Sequence, residues 1–201
     1  DLVYVVLIAE FAHALAQHID LAGIAKFAFM FTTVWIAWIN GTLYHDLHGN
    51  NDIRTRIFTF LQMFTVVGMA VFAHSALDKG STGFAISFAA YQLILTWLWW
   101  RTGVHDADHR PLSNPYSSIF LLSAILFITS VFVPKEYRFY LWAAALFFSL
   151  VVPFLLILFA RNNLSALEQM EKAASTTDSA VERIGLFMII VLGEIIASVV
   201  R

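Results

Sequence analysis

Polar residues occur along this chain in short clusters that divide it into long apolar runs. Seven runs are long enough to cross a ~30 Å hydrocarbon core as helices. They fall at about 1–19, 24–44, 54–77, 83–101, 116–133, 138–160 and 182–200. The dividers are the turn around Asp20 and Gly23, the loop HDLHGNND (45–52), DKGST (78–82), TGVHDADHRPLSNP (102–115), PKEY (134–137) and RNNLSALEQMEKAASTTDSAV (161–181). The last divider is polar enough to read as a surface helix with a loop. The pattern predicts an all-α polytopic transmembrane helical bundle of about seven spanning helices, a single transmembrane domain over 1–201. Pro153 falls inside the sixth helix; it reads as a tolerated kink, with a gating hinge as the sharper alternative.

The pattern also contains one echo. GLFMIIVLGE (185–194) aligns without gaps to DLVYVVLIAE (1–10), with Leu in second place and Glu in tenth. Helices 1 and 7 would then run in the same direction, as in a parallel repeat, with the chain holding one repeat and the first helix of a second. Chance likeness between apolar helices is the alternative.

Composition strengthens the membrane reading. The chain is 60% hydrophobic and only 13% charged, about half the charge of a soluble domain, and its mean hydropathy is +0.75. The 19 Phe, six Trp and six Tyr suit lipid-facing surfaces and interfacial belts such as WLWWR at 97–101. A net charge of -2 without a basic patch gives no footprint for nucleic acid. The absence of cysteine excludes disulfides, thiol catalysis and thiolate-bound metals. Arg54, Arg56, Arg101, Arg110, Arg161, Lys172 and Arg183 lie on the side of the amino terminus, against Lys26, Lys79, Lys135, Arg138 and Arg201 on the other. That bias predicts a cytoplasmic amino terminus. No cleavable signal pattern is seen, and because the chain opens directly on apolar sequence, further residues upstream are expected.

The candidate chemistry begins in the first helix, which carries Asp1, Glu10, His13 and Gln17. Glu10 lies ~13 Å along the axis from Asp1, near mid-depth, and shares a face with His13 and Gln17 at i, i+3 and i+7. A charge at the bilayer centre costs at least ~2.5–3 kcal/mol. Glu10 and Glu194 therefore either exchange protons or bind a cation, with His13 as relay, or hydrogen-bond across helices to Asn40, Tyr44 or Gln62. Glu10-x-x-His13 has the spacing of half a di-iron site, but Ala197 stands where a second histidine would be needed. His45, Asp46 and His48, with His105, Asp106, Asp108 and His109, form two polar loops on one membrane face. They are either a Zn, Mn or Fe donor set or two solvated loops. Asn40 and Tyr44, beside Trp35 and Trp38, suit interfacial packing, with a sugar or aromatic-cation site as the alternative. Arg54, Arg56 and Arg101 read as anchors reaching for headgroups. Arg183, beside Glu182 at a helix start, meets an unfavourable dipole and calls for a salt partner such as Asp1 or Asp52.

Four segments carry a family resemblance: DLVYVVLIAEFAH (1–13), WIAWINGTLY (35–44), NDIRTRIFTFLQMF (51–64) and ERIGLFMIIVLGE (182–194). Together they resemble the bacterial low temperature requirement A (LtrA) membrane proteins, while helices 4 to 6 match only in character. The resemblance implies a multi-pass protein of the bacterial inner membrane linked to growth in the cold, about twice this length, with Glu-Leu-Phe-Phe preceding the residue that is Asp1 here. Its polar signature falls on Asp1, Glu10, His13, Asn40, Asp52, Arg56, Gln62, Glu182, Arg183 and Glu194, and it brings no cofactor. The resulting expectation is a proton- or cation-coupled transporter of a small solute, with membrane lipids and that solute or cation as partners. A membrane-bound metal enzyme using the His/Asp loops, a non-transporting structural module and assembly as a homo-oligomer stay open.

Overall fold

The computed structural model describes residues 1–17, 19–49, 52–160 and 177–200. These form seven helices and, among the described residues, no strand: α1 (Leu2–Gln17), α2 (Leu21–His48), α3 (Ile53–Ala73), α4 (Ser81–His105), α5 (Arg110–Phe132), α6 (Lys135–Ala160) and α7 (Asp178–Val200). The fold class is thus the all-helical membrane bundle read from hydropathy. Among the described residues, five helices, α2 to α6, are long and apolar enough to span a bilayer. α1 is apolar and 16 residues long, and α7 joins an apolar run to Asp178, Glu182, Arg183 and Glu194.

The boundaries differ most where polar residues had been read as loop. α2 continues through His45, Asp46 and His48, and α4 through His105. Imidazoles suit the last turn of a helix because the carbonyl end of the dipole favours them, and Gly49 closes α2 by donating its N–H to the His45 carbonyl at 2.9 Å. With 28 residues, α2 is ~42 Å long, so its last turns project beyond a hydrocarbon core. α5 begins at Arg110 rather than at 116, with Pro111 in its first turn and Pro115 inside it. Pro111 is tolerated because the first N–H groups of a helix have no internal partner, whereas Pro115 lies past them and leaves the Pro111 carbonyl without its intrahelical donor. Side-chain caps start two helices: the Asp20 carboxylate accepts from Gly23 N at 2.6 Å and Asp52 from Thr55 N at 2.8 Å. Pro153 lies within a continuous α6. Of the polar divider at 161–181, residues 161–176 fall outside the described residues and 178–181 belong to α7.

Helices α3, α4, α5 and α6 pack as successive neighbours, and α1 lies against α2, α3 and α7. Aromatic side chains fill the seams. Trp38 of α2 stacks on Phe187 of α7 with centroids 3.8 Å apart, Phe88 of α4 meets Phe127 of α5 at 4.2 Å, and Phe127 meets Trp142 of α6 at 5.1 Å. Small residues let backbones approach: a Cβ at Gly41 would strike the Tyr91 hydroxyl, and one at Gly68 would lie 2.7 Å from Ser87 Oγ. The outer face of α3 exposes Ile57, Phe60, Phe64, Val67 and Val71, a helical stripe suited to lipid.

The two ends of the bundle are held differently. At one end Asp1 accepts from Arg183 Nε (2.9 Å) and Nη2 (2.7 Å) and from the indole of buried Trp38 (2.9 Å), which joins the starts of α1 and α7 to α2. At the other end Arg138 is buried at 6% exposure. Its guanidinium donates to the Ser130 carbonyl at 2.8 Å, to the Ser81 hydroxyl, to Thr82 Oγ1 at 3.0 Å and to the Val131 carbonyl at 3.3 Å. One side chain thereby ties the start of α4 to the end of α5. Lys135 and Asp78 pair at 3.2 Å on the same end.

Candidate functional site

At the Asp1 end the last turns of α2 and α4 meet the first turn of α3 and the turn into α5, leaving a pocket of about 380 Å³. The polar side chains of two overlong helices line it because those turns project past the apolar layer. α2 contributes Tyr44, His45 and His48, one face at i and i+4. α4 contributes Arg101, Thr102 and His105; α3 adds Arg54 and Thr55, and the turn adds Asp106 and His109.

The inner wall is aromatic. The Tyr44 and His48 rings stack with centroids 5.2 Å apart, and both stand edge-on to buried Trp99, at 5.4 and 5.3 Å. His109 stands edge-on to His48 at 4.9 Å. Both ring nitrogens of His48 are buried and have no hydrogen-bond partner among the described residues. Tyr44 Oη lies 3.3 Å from Thr102 Oγ1, and His45 Nε2 lies 3.0 Å from Gln62 Oε1.

The carboxylates at the rim are engaged. Asp106 receives His109 Nδ1 at 2.7 Å and the backbone N–H groups of Asp108 and His109 at 3.0 and 3.3 Å. Burial is the largest influence on Asp106 and acts upward, but the His109 side chain and these backbone donors together hold its carboxyl below the usual carboxylate value. The Asp52 carboxyl is likewise held low by Thr55, first through its side chain and then through the backbone N–H that caps α3. The arginine hydrogen bonds among the described residues belong to Arg110, Arg138 and Arg183. Arg54 and Arg101 are in no ion pair there.

The remaining predicted site residues are placed elsewhere. Glu10 is half-buried in a mainly apolar groove of about 480 Å³ between α1 and α3, beside Val6, Val67 and Val71. His13 and Gln17 are exposed, so the polar stripe faces away from the packed core. Glu194 is half-buried on α7. The cross-helix partners considered for the two glutamates are engaged otherwise. Asn40 donates to the Ile36 carbonyl of its own helix at 2.8 Å, Tyr44 meets Thr102, and Gln62 meets His45. Arg56 and Glu182 are exposed, and so is Asp108. Asp46 turns away from the histidines to accept from the backbone N–H of Thr177 at 3.0 Å and from its hydroxyl, while Thr177 caps α7 through Ala180 N. Thus His45, His48, His105, Asp106 and His109 converge on one pocket. Among the described residues, though, no three His, Asp or Glu side chains are arranged to hold one metal ion.

Arg54, Thr55, Trp99, Arg101 and Thr102 were not foreseen as site residues. The available signal was spacing: Arg101 and His105 stand at i and i+4, as do Tyr44 and His48, which puts each pair on one face. A family model for the bacterial low temperature requirement A protein (LtrA) matches residues 1–201, the whole chain. The chain belongs to the LtrA family. Comparisons with curated proteins and with solved structures found no match. The LtrA match covers helices 4 to 6 as well as the four segments that carried the resemblance, so all the pocket walls lie within it. With five helices able to span a bilayer, this LtrA protein is a multi-pass membrane protein.

Proposed function

We propose that this LtrA protein carries a small solute across the bacterial inner membrane, coupled to a proton or cation, with the amino terminus on the cytoplasmic side. The observation that carries the reading is Glu10: a mid-helix carboxyl, half-buried, with no hydrogen-bond partner among the described residues. A charged group is costly to hold in hydrocarbon, so binding of a proton or cation there can be linked to a conformational step. Two pockets at opposite ends of the bundle support the reading. The second, of about 290 Å³, is lined by Asp20, Lys26 and His74 at the other end of α2 and α3. Phe58 lines the first pocket and Ala73 the second, ~22 Å apart along α3. Along α3 between them, Val66 and Met69 are buried and apolar. Alternating access to two such vestibules is the behaviour expected of a carrier.

The test is flux in proteoliposomes under an imposed pH gradient with the membrane potential clamped. Potassium, sodium, magnesium, phosphate and acetate are supplied in turn. Wild type is expected to move at least one of them in a gradient-dependent way, and Glu10→Gln to lose that dependence. Gradient-independent behaviour with every solute, or a Glu10→Gln protein equal to wild type, refutes the reading.

A further inference from the structure

We infer that the pocket between the ends of α2 and α4 and the start of α3 binds an oxyanion of the phosphate class. This deepens the transport reading by naming the ligand chemistry of the same pocket, and it rests on that reading only for what the binding achieves.

The formal charges of the pocket do not by themselves decide the sign of its ligand, since Arg54 and Arg101 are balanced by Asp52 and Asp106. What decides it is which charges are already engaged. Asp52 accepts from the backbone of Thr55, and Asp106 accepts from His109 and from two backbone amides. Both oxygens of Asp106 are thereby taken by donors of the fold, and Oδ1 of Asp52 is taken by the cap of α3. The two guanidinium groups are in no ion pair among the described residues, and Arg101 is half-buried, where a cation gains most from a counter-charge.

His48 presents two buried nitrogens without partners among the described residues. As a neutral imidazole it offers one donor and one acceptor. Exposed His105 also borders the pocket. A cation placed here would meet two arginines, and no three His, Asp or Glu side chains among the described residues share a metal position. An oxyanion would meet the planar forks of two arginines, the geometry that phosphate recognition uses. Because the pocket lies at the end of the bundle, the phosphate group could belong to a soluble solute or to a lipid headgroup.

The experiment is calorimetric titration of the purified full chain with inorganic phosphate at constant ionic strength, in nanodiscs of phosphatidylcholine alone and with phosphatidic acid added. Saturable binding is expected in phosphatidylcholine, with no counterpart for potassium chloride. Arg101→Gln and Arg54→Gln should each weaken it by about tenfold or more, while Arg56→Gln, on an exposed residue outside the pocket, should leave it unchanged. Arg54 is itself exposed, so its variant folds and decides the matter even if Arg101→Gln does not. Binding that persists with phosphatidic acid present assigns the site to a soluble anion, and binding lost there assigns it to a headgroup. No saturable phosphate binding, or equal affinity in wild type and Arg54→Gln, overturns the inference. Phosphate binding without any gradient-dependent flux defeats the transport reading alone, and flux without phosphate binding defeats this inference alone.

Discussion

Gly41 offers the sharpest test of the packing described above. It is buried on α2 where α4 comes close, and the Tyr91 hydroxyl donates past it to the Ala37 carbonyl at 2.8 Å. A Cβ at position 41 would collide with that hydroxyl oxygen, while the next ring atom, Tyr91 Cζ, would sit at 3.6 Å, an ordinary contact. Tyr91 is 1% exposed, so the ring has no free space to move into. Overpacking of this kind costs ~1–3 kcal/mol, and displacing the hydroxyl from its acceptor costs ~1 kcal/mol more. Against this, alanine gains ~1 kcal/mol over glycine inside a helix. Gly41→Ala should therefore destabilise by ~1–3 kcal/mol. In a Tyr91→Phe background the obstructing atom is gone, only the helix gain remains, and Gly41→Ala should be neutral or stabilising by up to ~1 kcal/mol. The coupling between the two changes is ~2 kcal/mol, large for a double-mutant cycle. Unfolding of the four proteins in detergent micelles, by heat or by titrated SDS, measures it. A coupling under ~0.5 kcal/mol, the usual limit of additivity, would show that Gly41 is not there to admit the tyrosine, and the α2–α4 approach would have to be redrawn.

Two further predictions concern the ends of the bundle. Arg138→Lys should lower stability by ~1–3 kcal/mol in the same unfolding assay, because an ammonium cannot reach acceptors on both α4 and α5 as the guanidinium does; an unchanged midpoint would refute the strap. Asp1→Ala should cost more than Arg183→Gln. The exposed ion pair alone contributes at most ~1 kcal/mol, whereas Asp1 also satisfies the indole N–H of Trp38, which is 2% exposed; equal losses would mean that the indole bond contributes nothing.

The sequence by itself determined the all-helical membrane class, the order of the helices and the LtrA resemblance, because each rests on local information. A run of apolar residues must hide its backbone in a helix wherever lipid surrounds it, and Asp20 and Asp52 cap their helices through residues three positions away. The ends of α2, α4 and α5 were misjudged for the same reason. His48, His105 and Pro111 look like loop in a hydropathy profile, yet a helix end tolerates all three. Asp1 and Arg183 could be suspected as partners, since a cation at a helix start needs a counter-charge.

Only the tertiary structure decided which polar residues meet. Glu10, His13 and Gln17 share a helical face by spacing, but α1 packs on α2, α3 and α7 in a way that turns His13 and Gln17 outward. His48 reaches His109, and Tyr44 reaches Thr102, across 58 residues in the latter case. Arg54 and Arg101, which read as lipid anchors along the chain, border a pocket. Such meetings are set by how helices cross and by how far each projects beyond its neighbours. Those are properties of pairs of helices, and no single helical segment encodes them.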